Sequence, residues 1–374
     1  MGADTDRALY EARPAAKGIL LQLLMPHCRR LSQLTIHYGL ECMPPHMLSS
    51  ITGLDKLQEL DLVYSEAIAD FGTLRAISKM AALRDLTIRF SLDPTDPVKL
   101  PALGGAFSKL SRLHLSGDIQ DLRDVFEACD CARLTALNLT VSEAPTVQAL
   151  QAGLEVICAR VPKSLQEARI HLSDGVYSDG PPKSVSDIVQ PFFVFRGLRH
   201  ATIEFHDAPR TDDRDACAFA TAWPQLTHFA LTYADWDLDQ EVIYLTVAGL
   251  VEFVQRCPRL CHLQVPFLDI RGPLPSLYTL PPLGLNSLRR LGFSELIGGR
   301  EANLLDLAVV LDILFPSAGR LHFVTVKKTI LGEILAASET YQPTRVLIML
   351  MGAMWARRQG EGKRIANEGC RHRG

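Results

Sequence analysis

The chain places apolar residues at offsets 0, 3 and 5, over and over. In the stretch FSKLSRLHLSGD, Phe107 to Asp118, these are Leu110, Leu113 and Leu115, and the positions between them are polar. A helix face prefers offsets 0, 3, 4 and 7 and a two-faced strand alternates evenly, so the spacing belongs to neither element alone. The pattern, with other apolar residues tolerated, starts at Leu31, Leu57, Leu83, Leu110, Leu134, Leu165, Leu198, Leu226, Leu260, Leu288 and Leu321. Successive starts are 24 to 34 residues apart. Self-similarity at such a period marks a repeat array, in which each unit buries its apolar face only against the next.

The repeats resemble the leucine-rich-repeat family, in which the last part of the motif is a short strand and the first leucine turns the chain into the core. The resemblance implies that the second and third apolar residues point inward and their neighbours outward. It implies parallel strands about 4.7–4.9 Å apart in an α/β leucine-rich-repeat solenoid, a curved arc with strands on its concave face and helices and loops on its convex face. The entry phrases HCRRL (from His27), CDCARL (from Cys129) and RCPRL (from Arg256) are similar to the cysteine-containing class, carried by fungal and other eukaryotic F-box proteins. That kinship implies a substrate-recognition arc of a Skp1–cullin ubiquitin ligase. The 27 residues before Cys28 read as one helix, and the F-box itself is not present among them. A Skp1-type adaptor is expected only if an F-box is encoded upstream. The alternatives are a free-standing scaffold or inhibitor with no ligase association and, further off, an enzyme with a site in an inserted loop.

Four connecting segments read as helices. Residues 65–80 open on Ser65 with Glu66 in the first turn, and 118–129 open on Asp118. Residues 245–257 begin near Thr246 and stop at Pro258, and 300–315 stop at Pro316. Three residues after the last apolar position stand Ser65, Ser91, Asp118, Ser142 and Ser173, which can cap a following helix. Residues 91–105 and 173–184 read as loops, and the proline-rich 266–287 as an extended insertion. The expected organisation is an N-terminal helix and cap (1–27), the repeats (28–330), a capping helix (331–356) and a disordered basic tail (357–374). A repeat array needs polar caps, and the N-terminal one is thin, so the first repeats are expected to be the least stable.

Six of the eleven histidines fall on outward strand positions: His37, His114, His171, His200, His228 and His262. The last three occupy one column in consecutive repeats. Neutral imidazoles can bind zinc, and stacked imidazolium ions repel, so the column suggests either a metal or a partner surface that weakens on protonation. A straight column is not tetrahedral and Glu204 is the only nearby outward carboxylate, so the partner surface is carried forward and no metal is assigned. The other candidate contact residues are Arg169, an acidic group of Glu59, Asp61 and Asp85, and a basic group of Arg89, Arg112 and His114. Charge that changes sign along a groove can set a partner's direction.

Composition narrows the function further. Of 374 residues 47% are apolar, enough for a sizeable core, and the net charge of −3 argues against non-specific nucleic-acid binding. No apolar run approaches the roughly 18 residues that span a bilayer, and the N-terminus is acidic where a signal peptide is basic. Nine cysteines without framework spacing fit reduced thiols, with Cys28, Cys131 and Cys257 buried at element ends. No Walker loop, H-E-x-x-H, C-x-x-C or G-x-S-x-G sequence occurs. Asn138-Leu139-Thr140 matches a glycosylation acceptor but falls on a predicted strand. The expectation is a monomeric, non-catalytic, cytoplasmic or nuclear protein without cofactor, nucleic acid or membrane, binding a protein on its concave face.

Overall fold

In the computed structural model the apolar triplets become turns followed by strands. The structure describes residues 23–24, 27–36, 48–62, 68–92, 107–173, 184–206, 209–234, 244–275, 287–298, 301–315, 320–321, 347, 349–354 and 356–357. Expectations for most of the N-terminal helix, His37, the loop residues 93–105, 174–183 and 276–286, most of the C-terminal helix and most of the tail lie outside them. The chain forms two compact units, one of Met1–Pro181 with Ile188–Phe195 and one of Pro182–Asp187 with Arg196–Gly374.

The N-terminal unit contains strands β1 (Gln33–Thr35), β2 (Glu59–Asp61), β3 (Ile68–Ala69), β4 (Asp85–Phe90), β5 (Arg112–Gly117), β6 (Ala136–Val141) and β7 (Glu167–Leu172). β1, β2, β4, β5, β6 and β7 pair in parallel in that order, each with the strand of the neighbouring repeat, and β3 pairs with β4. The register aligns Leu34, Leu60, Leu86, Leu113, Leu137 and Ala168. In the C-terminal unit β8 (His200–Phe205), β9 (His228–Tyr233), β10 (His262–Asp269), β11 (Arg290–Ile297) and β12 (Arg320–Leu321) align Ala201, Phe229, Leu263, Leu291 and Leu321 in the same way.

Two backbone devices explain the 0-3-5 spacing. The amide of the first leucine closes a turn onto the carbonyl three residues earlier, as in Leu57 to Leu54, Leu134 to Cys131 and Leu260 to Cys257, each 3.0 Å. The residue after that leucine then offers its carbonyl to two successive amides of the next repeat. Gln58 O accepts from Arg84 and Asp85 at 2.8 and 3.0 Å, Arg84 O from Ser111 and Arg112 at 2.7 and 3.1 Å, and Thr227 O from Cys261 and His262 at 2.8 and 3.1 Å. A carbonyl has two lone pairs and can satisfy both donors. Where this residue is Ser or Thr its hydroxyl joins in, Thr135 Oγ1 donating to Ser111 O and Thr227 Oγ1 to Arg199 O, both at 3.0 Å.

Among the described residues the α-helices of seven or more residues are α1 (Phe71–Ile77), α2 (Ile119–Ala128), α3 (Val147–Arg160), α4 (Asp213–Ala222), α5 (Val247–Arg256) and α6 (Glu301–Leu314). The first departs from expectation. Ile68 and Ala69 are held as a strand beside Arg89 and Phe90, and Asp70 caps the helix by accepting the Thr73 amide at 2.7 Å. Asp118 does precede α2, but its carboxylate makes no cap bond and accepts the Ser142 hydroxyl at 2.8 Å, while Thr146 caps α3. Small polar residues after the strand thus tie neighbouring repeats together. At α5 Thr246 is the cap as read, and Asp213 of α4 accepts both its amide and its hydroxyl at 2.7 Å. Gly249 packs there because a Cβ would sit 2.3 Å from Asp213 Oδ1.

Residues read as the start of an insertion, from Pro266 to Asp269, continue β10. Pro266 has no amide hydrogen to give, and β9 pairs with β10 only as far as Gln264, whereas β11 follows it to Asp269. Cys131 and Cys257 are buried as expected, but Cys28 is only half-buried. The C-terminal core is aromatic: Phe229 contacts Phe219, Trp223 and Phe253 with ring centroids 5.2, 6.5 and 4.9 Å away. Phe229→Ala is expected to destabilise the protein by about 3–5 kcal/mol, measured by urea denaturation. In β1 Leu34 is only half-buried, whereas Leu137 of β6 is fully buried. Hydrogen exchange is expected to be faster for β1 amides than for β6 amides.

Candidate functional site

The register turns outward positions into columns. In the N-terminal unit the first column runs Gln33, Glu59, Asp85, Arg112, Ala136 and Glu167, and the second Thr35, Asp61, Thr87, His114, Asn138 and Arg169. Arg89, Ser116, Thr140 and His171 make the third. The acidic and basic candidates therefore meet at one point, Asp85 standing opposite Arg112, while Arg89 stands opposite the neutral Ser116. Arg89, Arg112 and Arg169 are exposed, while Glu59, Asp61, Asp85, His114 and His171 are half-buried. Ser116 and Ala136, also read as outward, are closed off at 7% and 9% exposure. A shallow basin of about 220 Å³ opens over Asp85, Arg112, His114, Asn138 and Arg169.

Charged groups on this face have partners on it: Arg169 Nε lies 3.1 Å from Glu167 Oε1, and the Ser111 hydroxyl donates to Asp85 Oδ1 at 3.0 Å. His114 Nε2 is 3.1 Å from Thr140 Oγ1 of the next strand, which fixes the ring. Burial lowers the His114 pKa below its ordinary 6.5, against the pull of Asp61 and aided by Arg169 and His171. Asn138 Oδ1 is buried on this floor and accepts no hydrogen bond from a described residue. An unmet buried acceptor of this kind is costly unless a donor arrives. It also sits mid-strand, between β5 and β7, a poor place for the glycosylation that its sequence suggests.

In the C-terminal unit His200, His228 and His262 share one column, directly opposite one another in register and followed by Arg290. Their rings meet edge to face, with centroids 4.5 Å apart for His200 and His228 and 5.8 Å for His228 and His262. Thr227 Oγ1 lies 3.0 Å from His228 Nδ1. Burial lowers the His228 pKa, and His200 and Arg290 lower it further. Glu204 is exposed one column further over than Thr202 and stands opposite Thr232. Pro266 and Gly292 are buried, so this face narrows toward its later strands.

Among the described residues no group of three or more His, Cys, Asp or Glu is placed to hold a metal ion, and no helix is long and apolar enough to cross a membrane. Reading outward strand positions alone missed the arginines just before the strands, Arg199 and Arg289, and the unmet Oδ1 of Asn138. The signal for the first was present, because the residue after the first leucine recurs in every repeat. No protein-family model matches the chain, and no curated protein matches it.

The lowered pKa of His114 has a definite sign for stability. Between the folded value and the ordinary 6.5, the unfolded chain binds a proton that the native state does not, so stability falls as pH falls. His228 acts in the same direction. The denaturation midpoint is expected to drop between about pH 7 and about pH 5.5, and His114→Gln is expected to make that drop smaller.

Proposed function

We propose that the protein is a non-catalytic leucine-rich-repeat binding protein that holds a protein partner on the outward columns of its strands, as substrate receptors of Skp1–cullin ubiquitin ligases do. The observation that carries the reading is the residue-for-residue parallel register, which lines up polar side chains from successive repeats on one side and apolar ones on the other. In each unit such a face is built by several repeats and offers many separated contacts. Partner recognition then resides in His200, His228, His262 and Glu204 in one unit, and in Glu59, Asp61, Asp85, Arg89, Arg112, His114, Arg169 and His171 in the other. The entry phrases around Cys28, Cys131 and Cys257 support the link to F-box proteins.

Affinity enrichment from an extract of the source cells tests this, comparing the wild type with the H200A/H228A/H262A triple variant. The variant is expected to keep its circular dichroism and lose a captured partner; an unchanged captured set overturns the role of the column. Co-purification of a Skp1-type adaptor supports the ligase role. A retained partner without that adaptor replaces it with a free-standing scaffold or inhibitor.

A further inference from the structure

In the C-terminal unit the segments 196–203, 224–232, 258–268 and 287–294 contain no aspartate or glutamate. The same segments hold Arg196, Arg199, Arg259, Arg289 and Arg290 as well as His200, His228 and His262. They are the entering turns and leading parts of β8, β9, β10 and β11, which lie side by side in register, so these groups share one edge of one face. All five arginines are exposed, and none is ion-paired with a described residue. Arg259 Nη1 donates to the neutral Gln225 Oε1 at 3.0 Å.

Several carboxylates of this unit are engaged elsewhere. Asp269 is gripped by Arg271 at 2.6 Å, Glu252 by Arg256 at 3.0 Å, and Asp213 holds Thr246. Glu204 and Glu295 lie in the later halves of β8 and β11. With a whole-chain charge of only −3, this is a local concentration of positive charge. Like charges fixed side by side repel, and a partner of opposite sign relieves them.

We propose that this edge binds an acidic segment of a partner protein, an extended run of Asp or Glu side chains laid across the strands against Arg199, Arg289, Arg290 and the histidine column. This rests on reading the face as a protein-binding surface and adds the chemistry of its partner. Guanidinium groups match carboxylates with two parallel hydrogen bonds. Nucleic acid fits less well: the chain carries a net charge of −3 and so lacks the broad basic field that a polyphosphate backbone requires.

An acidic partner reverses the pH dependence expected from the column alone. His228 meets the ring of His200 from β8 and that of His262 from β10, and Arg290 at the start of β11 acts on it through its charge. Arg196, Arg199, Arg259, Cys261 and Arg289 stand in the turns before these strands, and Glu204, Glu295 and Asp269 further along them. Bound carboxylates favour the protonated imidazoles, so binding takes up protons and tightens as pH falls.

Fluorescence anisotropy on the full chain tests this with labelled oligoglutamate and oligothymidylate of equal charge. Oligoglutamate is expected to bind, and R289Q/R290Q to weaken it roughly tenfold, while R123Q/R160Q on the helices of the other unit leaves it unchanged. Affinity is expected to rise from about pH 7.5 to about pH 6, and H200Q/H228Q/H262Q to abolish the rise. No oligoglutamate binding, equal loss in the two arginine variants, or tighter binding of oligothymidylate overturns the proposal. Selection of random displayed peptides separates it from the broader reading. Asp- and Glu-rich winners that need the histidine column support both; neutral winners that need it overturn only the acidic chemistry; winners indifferent to it overturn both.

Discussion

A single carbonyl per repeat, shared by two amides of the next, sets the geometry on which the rest depends. Parallel ladders alone tolerate a slip of two residues, because alternation is then preserved. The forked bond does not, since two successive amides converge on one oxygen only where the strand begins. It recurs from Ser32 to Thr135 in one unit and from Arg199 to Cys261 in the other. The first leucine, bonded back onto its own turn, delivers the chain to that point. Once the entry is fixed, every later residue of the strand has a determined neighbour. Outward side chains therefore form columns despite repeats of unequal length.

That constraint also explains what could be read from the sequence. Strand positions and facing pairs such as Leu86 with Leu113 and His200 with His228 follow from the apolar triplet, because its alternation and its starting point are both local. Helix starts were less legible. Ser65 looked like a cap, but Asp70 is one, since Ile68 and Ala69 find backbone partners on β4 that a local reading cannot foresee. Ser142 and Asp118 bond each other across repeats, a choice that depends on a neighbour 24 residues away. Pro266 marked an insertion by composition, yet it fits within β10 because only one of the two flanking ladders needs to continue.

The candidate surfaces were legible in part for the same reason. The histidine column needed only the register. The burial of Ser116, Ala136, Pro266 and Gly292 needed neighbouring side chains as well, so positions that alternate correctly can still be closed. The arginine edge was hidden because all its members but Arg290 lie outside the strands, in the turns that precede them and in different repeats. They meet only when the turns are stacked.

The two units handle charge differently, and this bears on how each could recognise a partner. On the N-terminal face carboxylates and guanidiniums stand within reach of one another, as Arg169 and Glu167 do. A self-compensated face has a weak long-range field and discriminates only at contact, where each displaced internal pair must be replaced. At the C-terminal edge the positive groups lack carboxylates within their own segments, so their field reaches further into solvent and can speed encounter with an acidic chain. Histidines set among them make that field depend on pH, since protonation adds charge where arginine charge is already present. For His228 burial lowers the proton affinity in the unbound state, and the neighbouring His200 and Arg290 lower it further. A carboxylate-bearing partner supplies the missing compensation, and proton uptake and binding then favour one another.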